Sequence, residues 1–466
     1  MERHPLSNTS LAELDKRSLL HPFTALADHA KNGPRAIMAS GKGVRVTDTD
    51  GRQYLDGAAG LWCVNVGYGQ QEIVDAIAEQ SSKLSFFHSF TGMANEPAIV
   101  LADRILQLTP KGMSKVFFGN SGSDANDTNI KMIWYYNNLL GRPQKKKIIA
   151  RDRAYHGVTI GAGSLTGLTY CHDAFDLPIS QVVRAKSVDA YRGKPDDMSD
   201  EEFATYLAED LEALIVREGP DTVAAFIAEP VMGTGGVLLP PKGYFEKVQA
   251  VLDKYDVLMV ADEVICGFGR LGCAFGSDLY GIRPDFMTLA KGLSSGYQPI
   301  SASVISSRVW EVLEEQGKQL PSFAHGFTYS AHPVAAAASL ANLAIVERED
   351  LAGNAGRMGQ RLRTAIADQL QDCQIVGDIR SQGLMLGIEL VADRATKQAF
   401  DGNLKVPQRI VTEGLKNGVI VRPLSNNIAM SPPLIISEED VMQLASTVSK
   451  AVHKIAHELR TEGVIK

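Results

Sequence analysis

The sequence predicts an α/β protein built on a mostly parallel central sheet with helices on both faces. Three observations carry this reading. From about Glu72 to Ala290, short apolar runs of strand length alternate with longer segments of helical periodicity. Polar side chains stand just past several of those runs, which is where open α/β sheets bind their ligands. Near residue 335 the texture changes, and Val334-Ala335-Ala336-Ala337-Ala338 opens a long helix suited to connecting two domains.

The elements follow in order. Residues 1–60 are mixed, with a short helix at Ser10–Leu19 and two short strands across Ala36–Leu55, turned by Asp50-Gly51. Ile73–Leu84 and Pro97–Leu108 repeat apolar residues at helical spacing. Lys115–Phe118 reads as a strand, and Ser123–Leu140 as a helix opened by a serine. Strands at Lys147–Ala150, Thr222–Ala228, Val257–Val260 and Phe286–Ala290 then alternate with helices at Glu202–Arg217 and Tyr244–Tyr255. Past the connector, which runs to about Glu349, strands are expected at Gly383–Leu390 and Val419–Arg422. The last helix starts at Ser437, where Ser437-Glu438-Glu439-Asp440 resembles a capping box. Its stripe of Val441, Leu444, Ala445, Val448, Val452, Ile455 and Leu459 is core packing.

Bulk properties narrow the function. A chain of 466 residues is long enough for two or three domains. It is 45% hydrophobic and 22% charged, as ordinary globular proteins are. The net charge of -7 is spread without blocks, and the one basic run, Lys145-Lys146-Lys147, reads as a solvated loop, so nothing points to nucleic acid. Five scattered cysteines show no zinc-type spacing and are expected to be reduced. Met1–Asn8 lacks a signal-peptide core and no apolar run reaches membrane-span length. A cytoplasmic protein that keeps clear of membranes is the expectation.

Chemistry concentrates on Lys291 and Asp262, each placed just after a strand-like run. A lysine flanked by Ala, Gly and Leu loses solvent, its ammonium pKa falls, and the neutral amine attacks aldehydes. A carboxylate nearby can pair with a pyridinium nitrogen, as pyridoxal phosphate chemistry requires. Taken alone, such a pair is more often incidental. Gly119-Asn120-Ser121-Gly122-Ser123 links a strand to a helix, and its small residues and free amides suit a phosphate, although a plain helix cap is the commoner meaning. Tyr155 stands where it could stack on a flat ring, and Thr328 where it could add a hydroxyl to a phosphate. His156 has no metal-ligand partner at useful spacing and at most supports its neighbours. Trp62 could wall an apolar pocket, and Arg422 could bind a carboxylate bidentately.

These runs, in this order, resemble the class III (omega) aminotransferases among the fold type I pyridoxal phosphate enzymes. The resemblance rests on Gly57–Gly67, Asn120–Ala125, Tyr155-His156-Gly157, Ala228–Gly236, Ala261–Arg270, Leu289–Gly292 and Gly326–Pro333, spanning roughly residues 20–460. It is closest to the amine:pyruvate, beta-alanine:pyruvate and taurine:pyruvate subgroup. It implies a large cofactor domain at 61–334, with 1–60 and 335–466 together forming a smaller α+β domain. It implies pyridoxal 5'-phosphate as cofactor and amino transfer from a primary amine or omega-amino acid to an oxo-acid, pyruvate first, by a two-stage aldimine/pyridoxamine mechanism. Lys291 would be the Schiff-base lysine and Asp262 the pyridinium partner. Tyr155 and Val264 would cover the two ring faces, and Ser121, Gly122 and Ser123 would hold the phosphate. Thr328 would reach the phosphate of a second subunit, which implies a homodimer with shared sites and leaves a tetramer open. Phe23, Trp62 and Phe90 would shape the substrate pocket, and Arg422 would take the acceptor's carboxylate. Two departures stand out. Asp124 replaces the family's usual Glu and bears on the helix start, and the Arg422–Ile428 loop varies widely among members. Aminomutases, racemases and decarboxylases share the cofactor residues, and a non-enzymatic binding protein on the same scaffold is the remaining alternative.

Overall fold

Residues 10–465 are described by a computed structural model, so the expectation for Met1–Asn8 lies outside the described residues. The apolar runs Val223–Ala228, Leu258–Asp262 and Phe286–Leu289 are buried at every position. That is the pattern of strands covered on both faces. They belong to a seven-stranded sheet ordered Met113–Gly119, Ser301–Ser306, Phe286–Leu289, Leu258–Asp262, Val223–Ala228, Lys147–Arg151, Val182–Ala185. Ser301–Ser306 runs antiparallel to both of its neighbours, and the remaining pairs are parallel. Met259 and Ala261 join the apolar cluster on one face, while Leu258 and Val260 join the cluster on the other. Each large side chain buried this way is worth about 1.5–3 kcal/mol. The ends of Met113–Gly119, Lys147–Arg151, Val223–Ala228, Leu258–Asp262 and Phe286–Leu289 therefore meet along one edge, and each leads into a polar turn.

Two four-stranded sheets flank this layer. The first joins Met38–Lys42, Arg45–Asp48 and Gln53–Asp56 to Val419–Ile420, which pairs in parallel with Gln53–Asp56. The second is ordered Val376–Gln382, Met385–Leu390, Asn427–Met430, Arg422–Leu424. A separate apolar cluster unites Leu55 and Ile73 with Leu362, Ile388, Val419 and the Val441, Leu444, Val448, Val452 stripe, so the two chain ends share a core.

Several expectations change. Three strands, not two, occupy the region near Ala36–Leu55. The single strand expected at Val419–Arg422 is divided, because Val419–Ile420 pairs with the N-terminal sheet and Arg422–Leu424 turns back on Asn427–Met430. Lys145-Lys146-Lys147 is not a solvated loop. Lys145 is buried, donating to the carbonyls of Pro220 and Tyr255, and burial lowers its pKa. Lys147 opens the strand next to the sheet edge and pairs with Glu218 at 2.9 Å. The five cysteines are unpaired. No helix among the described residues is long and apolar enough to cross a membrane.

Candidate active site

The polar turns on the sheet edge enclose a cavity of about 330 Å³. Its lining includes Lys291, Asp262, Ser121, Gly122, Ser123, Tyr155 and Val264. Seven positions up to 170 residues apart in the chain thus meet because strands of one sheet end together.

Lys291 starts a short 3₁₀ turn directly after Phe286–Leu289, with φ of 45°, in the left-handed region. Burial lowers its pKa, while Cys63 and Asp262 pull the other way. Asp262, the last residue of its strand, is 3% exposed. Its Oδ2 accepts from Asn126 Nδ2 at 2.9 Å and lies 2.8 Å from His156 Nδ1, while Oδ1 accepts from the Val264 amide at 3.1 Å. Asn126 is fixed in turn, because its amide oxygen accepts from Thr288 Oγ1 at 2.7 Å and its Nδ2 also reaches the His156 carbonyl at 2.7 Å. Donors on both of its oxygens hold the carboxylate in one direction. Glu229 also lines the cavity, accepting from the amides of Tyr155 and Gly233, and burial raises its pKa.

The helix Gly122–Leu139 points its N-terminus at the same space. Ser121 is its cap, and a capping box joins the Ser121 hydroxyl to the Asp124 amide and the Asp124 carboxylate to the Ser121 amide. Asp124 thus serves the helix start, the place its departure from the family pattern concerns. The Gly122 and Ser123 amides have no acceptor among the described residues. A Cβ at Gly122 would lie 3.0 Å from Val264 Cγ2, so the absence of a side chain there keeps the turn open. Free amides at a helix start attract anions.

Five other predicted residues lie outside this lining. Phe23 is exposed, its ring 6.5 Å from that of Tyr155. Trp62 is 1% exposed, in a cluster with Val231 and Leu424. Phe90 is an exposed residue facing Gly326, and Thr328 is exposed two residues further on. Arg422 is half-buried, makes no ion pair among the described residues, and is close enough to Tyr155 and Lys291 to influence their titration. Sequence reading gave Asn126 and Glu229 no role and His156 only a supporting one. Asn126 had one available signal: it lies one helical turn past Gly122 and so faces the same way.

A fixed carboxylate, free amides at a helix start and a desolvated amine, all lining one cavity, fit a flat, phosphorylated aromatic aldehyde. On this sheet the fit defines a pyridoxal phosphate enzyme of fold type I. Comparison with known proteins agrees: the chain belongs to the class-III aminotransferase family, whose model matches residues 26–452. It is 46% identical over 465 residues to the diaminobutyrate–2-oxoglutarate transaminase of Halomonas elongata, covering 99% of each chain. The crystal structure of the omega transaminase from Pseudomonas jessenii in complex with PMP superposes with a TM-score of 0.95 at 43% identity, over 97% of this chain and 99% of that one. A solved transaminase with L-Ala superposes with a TM-score of 0.87 at 44% identity, over 91% and 99%. The protein is a class III transaminase, and pyridoxal phosphate is its cofactor.

Proposed function

We propose that the protein moves an amino group from a primary amine or omega-amino acid to an oxo-acid, with pyruvate as acceptor, in two half-reactions at the Lys291 cavity. Arg422 carries the reading: a half-buried guanidinium with no carboxylate partner among the described residues, beside Tyr155, suits a substrate that brings one. The relatives divide on the acceptor, since one is named for 2-oxoglutarate and another was solved with alanine, the amination product of pyruvate.

The bound cofactor supplies an aldehyde and an electron-withdrawing ring. The chain supplies the rest. Lys291 Nζ, whose charged form burial disfavours, would be the amine that holds the cofactor and, once freed, the base that takes the proton from the donor carbon. Asp262, held in direction by Asn126 and His156, would face the ring nitrogen. Tyr155 and Val264 would confine the ring, and Ser121, Gly122 and Ser123 would hold the phosphate. Arg422 takes the acceptor carboxylate, and Phe23, Trp62 and Phe90 bound the apolar end.

Exposure of Thr328 supports its use across a homodimer interface, where it would serve the second subunit's phosphate. Unpaired cysteines support a cytoplasmic setting. The shared apolar core of the chain ends supports a small domain from 1–60 and 335–466 around a large domain at 61–334.

Lys291→Ala tests the reading: covalent cofactor attachment and turnover should both vanish, and retained multiple turnover would overturn it. A panel of beta-alanine, taurine, putrescine, 4-aminobutyrate and 1-phenylethylamine, with pyruvate or 2-oxoglutarate, settles the substrates. Turnover with no acceptor added would favour the aminomutase, racemase or decarboxylase reading.

A further inference from the structure

Two short helices, Leu11–Ser18 and Leu26–Asn32, contact each other without burying a single residue. Apolar packing therefore does little to hold them. At their contact Asp15, His21 and His29 converge, with one ligand-capable atom from each within 4.8 Å of the others. His21 Nε2 lies 2.7 Å from Asp15 Oδ2, and His29 Nε2 lies 2.8 Å from Asp15 Oδ1. The imidazole rings stand 4.3 Å apart at 44°.

The second of these contacts is unusual. Both of its atoms are shielded from solvent and close together, yet neither makes a hydrogen bond among the described residues. Distance is satisfied and alignment is not, as expected of lone pairs aimed at a shared point.

We propose that Asp15, His21 and His29 form a site for a first-row transition dication of the zinc type. Two neutral imidazoles and one carboxylate supply three ligands and one negative charge, and water takes the fourth position, as in open zinc sites. Imidazole nitrogen selects zinc, nickel or copper over calcium and magnesium, which prefer all-oxygen sets. The side chains are 14%, 30% and 11% exposed for Asp15, His21 and His29, so the outward position is open to water. The ion would staple a pair of helices that have no core, as small metal-held units require. It would also steady the link that carries Phe23, two residues beyond His21, beside Tyr155 at the cofactor cavity.

The test uses tag-free holoenzyme stripped with a chelator and titrated calorimetrically with zinc chloride. Cobalt chloride is added in parallel, and its visible bands are read beyond the cofactor's absorbance. One zinc per protomer is expected, with affinity falling roughly tenfold or more in each of D15N, H21A and H29A and unchanged in H457A. Zinc should raise the melting temperature of the parent protein and not that of H29A. Absence of a saturable site overturns the proposal, as does unchanged affinity in the three ligand variants. Variants that lose stability in a parent that takes up no zinc would reduce the cluster to a hydrogen-bonded tie and overturn it equally.

Discussion

Lys291 adopts φ of 45°, a conformation that costs a non-glycine residue about 1–2 kcal/mol. Such strain persists only where surrounding structure imposes it, and here it turns the amine into the cavity lined by Asp262. Asp262→Asn keeps the size of the side chain and removes its charge. Turnover should fall roughly hundredfold or more, about 2.7 kcal/mol of barrier, while cofactor affinity changes far less. Equal rates in the two proteins would remove Asp262 from the chemistry. The neighbouring Glu263 behaves differently. Burial pushes its pKa up to about 7, against donation from Ser277 and Gly276. A folded pKa above the ordinary 4.5 means the folded state holds the extra proton in that window. Its contribution to stability is complete below about 4.5 and is lost as pH rises through about 7, up to roughly 3 kcal/mol. Glu263→Gln should flatten that part of a denaturation-versus-pH profile, and an unchanged slope would show the carboxyl to be ionised throughout.

At the scale of elements, the helix Gly122–Leu139 is capped by the same turn that the proposed function uses for the phosphate. Ser121→Ala removes the cap and should cost about 1 kcal/mol of stability. Because the same turn presents the free amides, cofactor affinity should fall as well. A variant with parental melting temperature and parental cofactor affinity would count against both roles. This helix was legible from its sequence, but its start was not: a serine was expected to open it, and Ser121, not Ser123, does so. The fully buried parallel strands were legible for the same reason, since continuous apolar runs ending at polar turns have few other meanings. Ser301–Ser306 escaped notice. Its alternation of serines with Ala, Val and Ile resembles a half-exposed strand or a loop, yet both faces are buried and Ser303 hydrogen-bonds Asn129 inside the core.

Across the whole molecule, Arg270 ties distant segments together. It is fully buried, and it donates to the carbonyls of Leu384 and Pro432 and to the Asn65 side chain. Burial lowers its pKa to about 9. Arg270→Ala would strand several buried acceptors at once and should destabilise by at least about 3 kcal/mol in urea titration. An unchanged midpoint would show that the contact is dispensable. The sequence by itself determined the α/β class, the strand ends that carry Lys291 and Asp262, and the small-residue turn before the helix. These follow from local rules: period, apolar runs and turn chemistry. The tertiary structure alone decided that Asn126 and His156 orient Asp262, that Arg422 has no ion-pair partner among the described residues, and that Trp62 lies in a core. Those facts depend on which side chains meet across gaps of tens to hundreds of residues. Chain proximity carries no record of such meetings, because they arise only when the sheet aligns its ends.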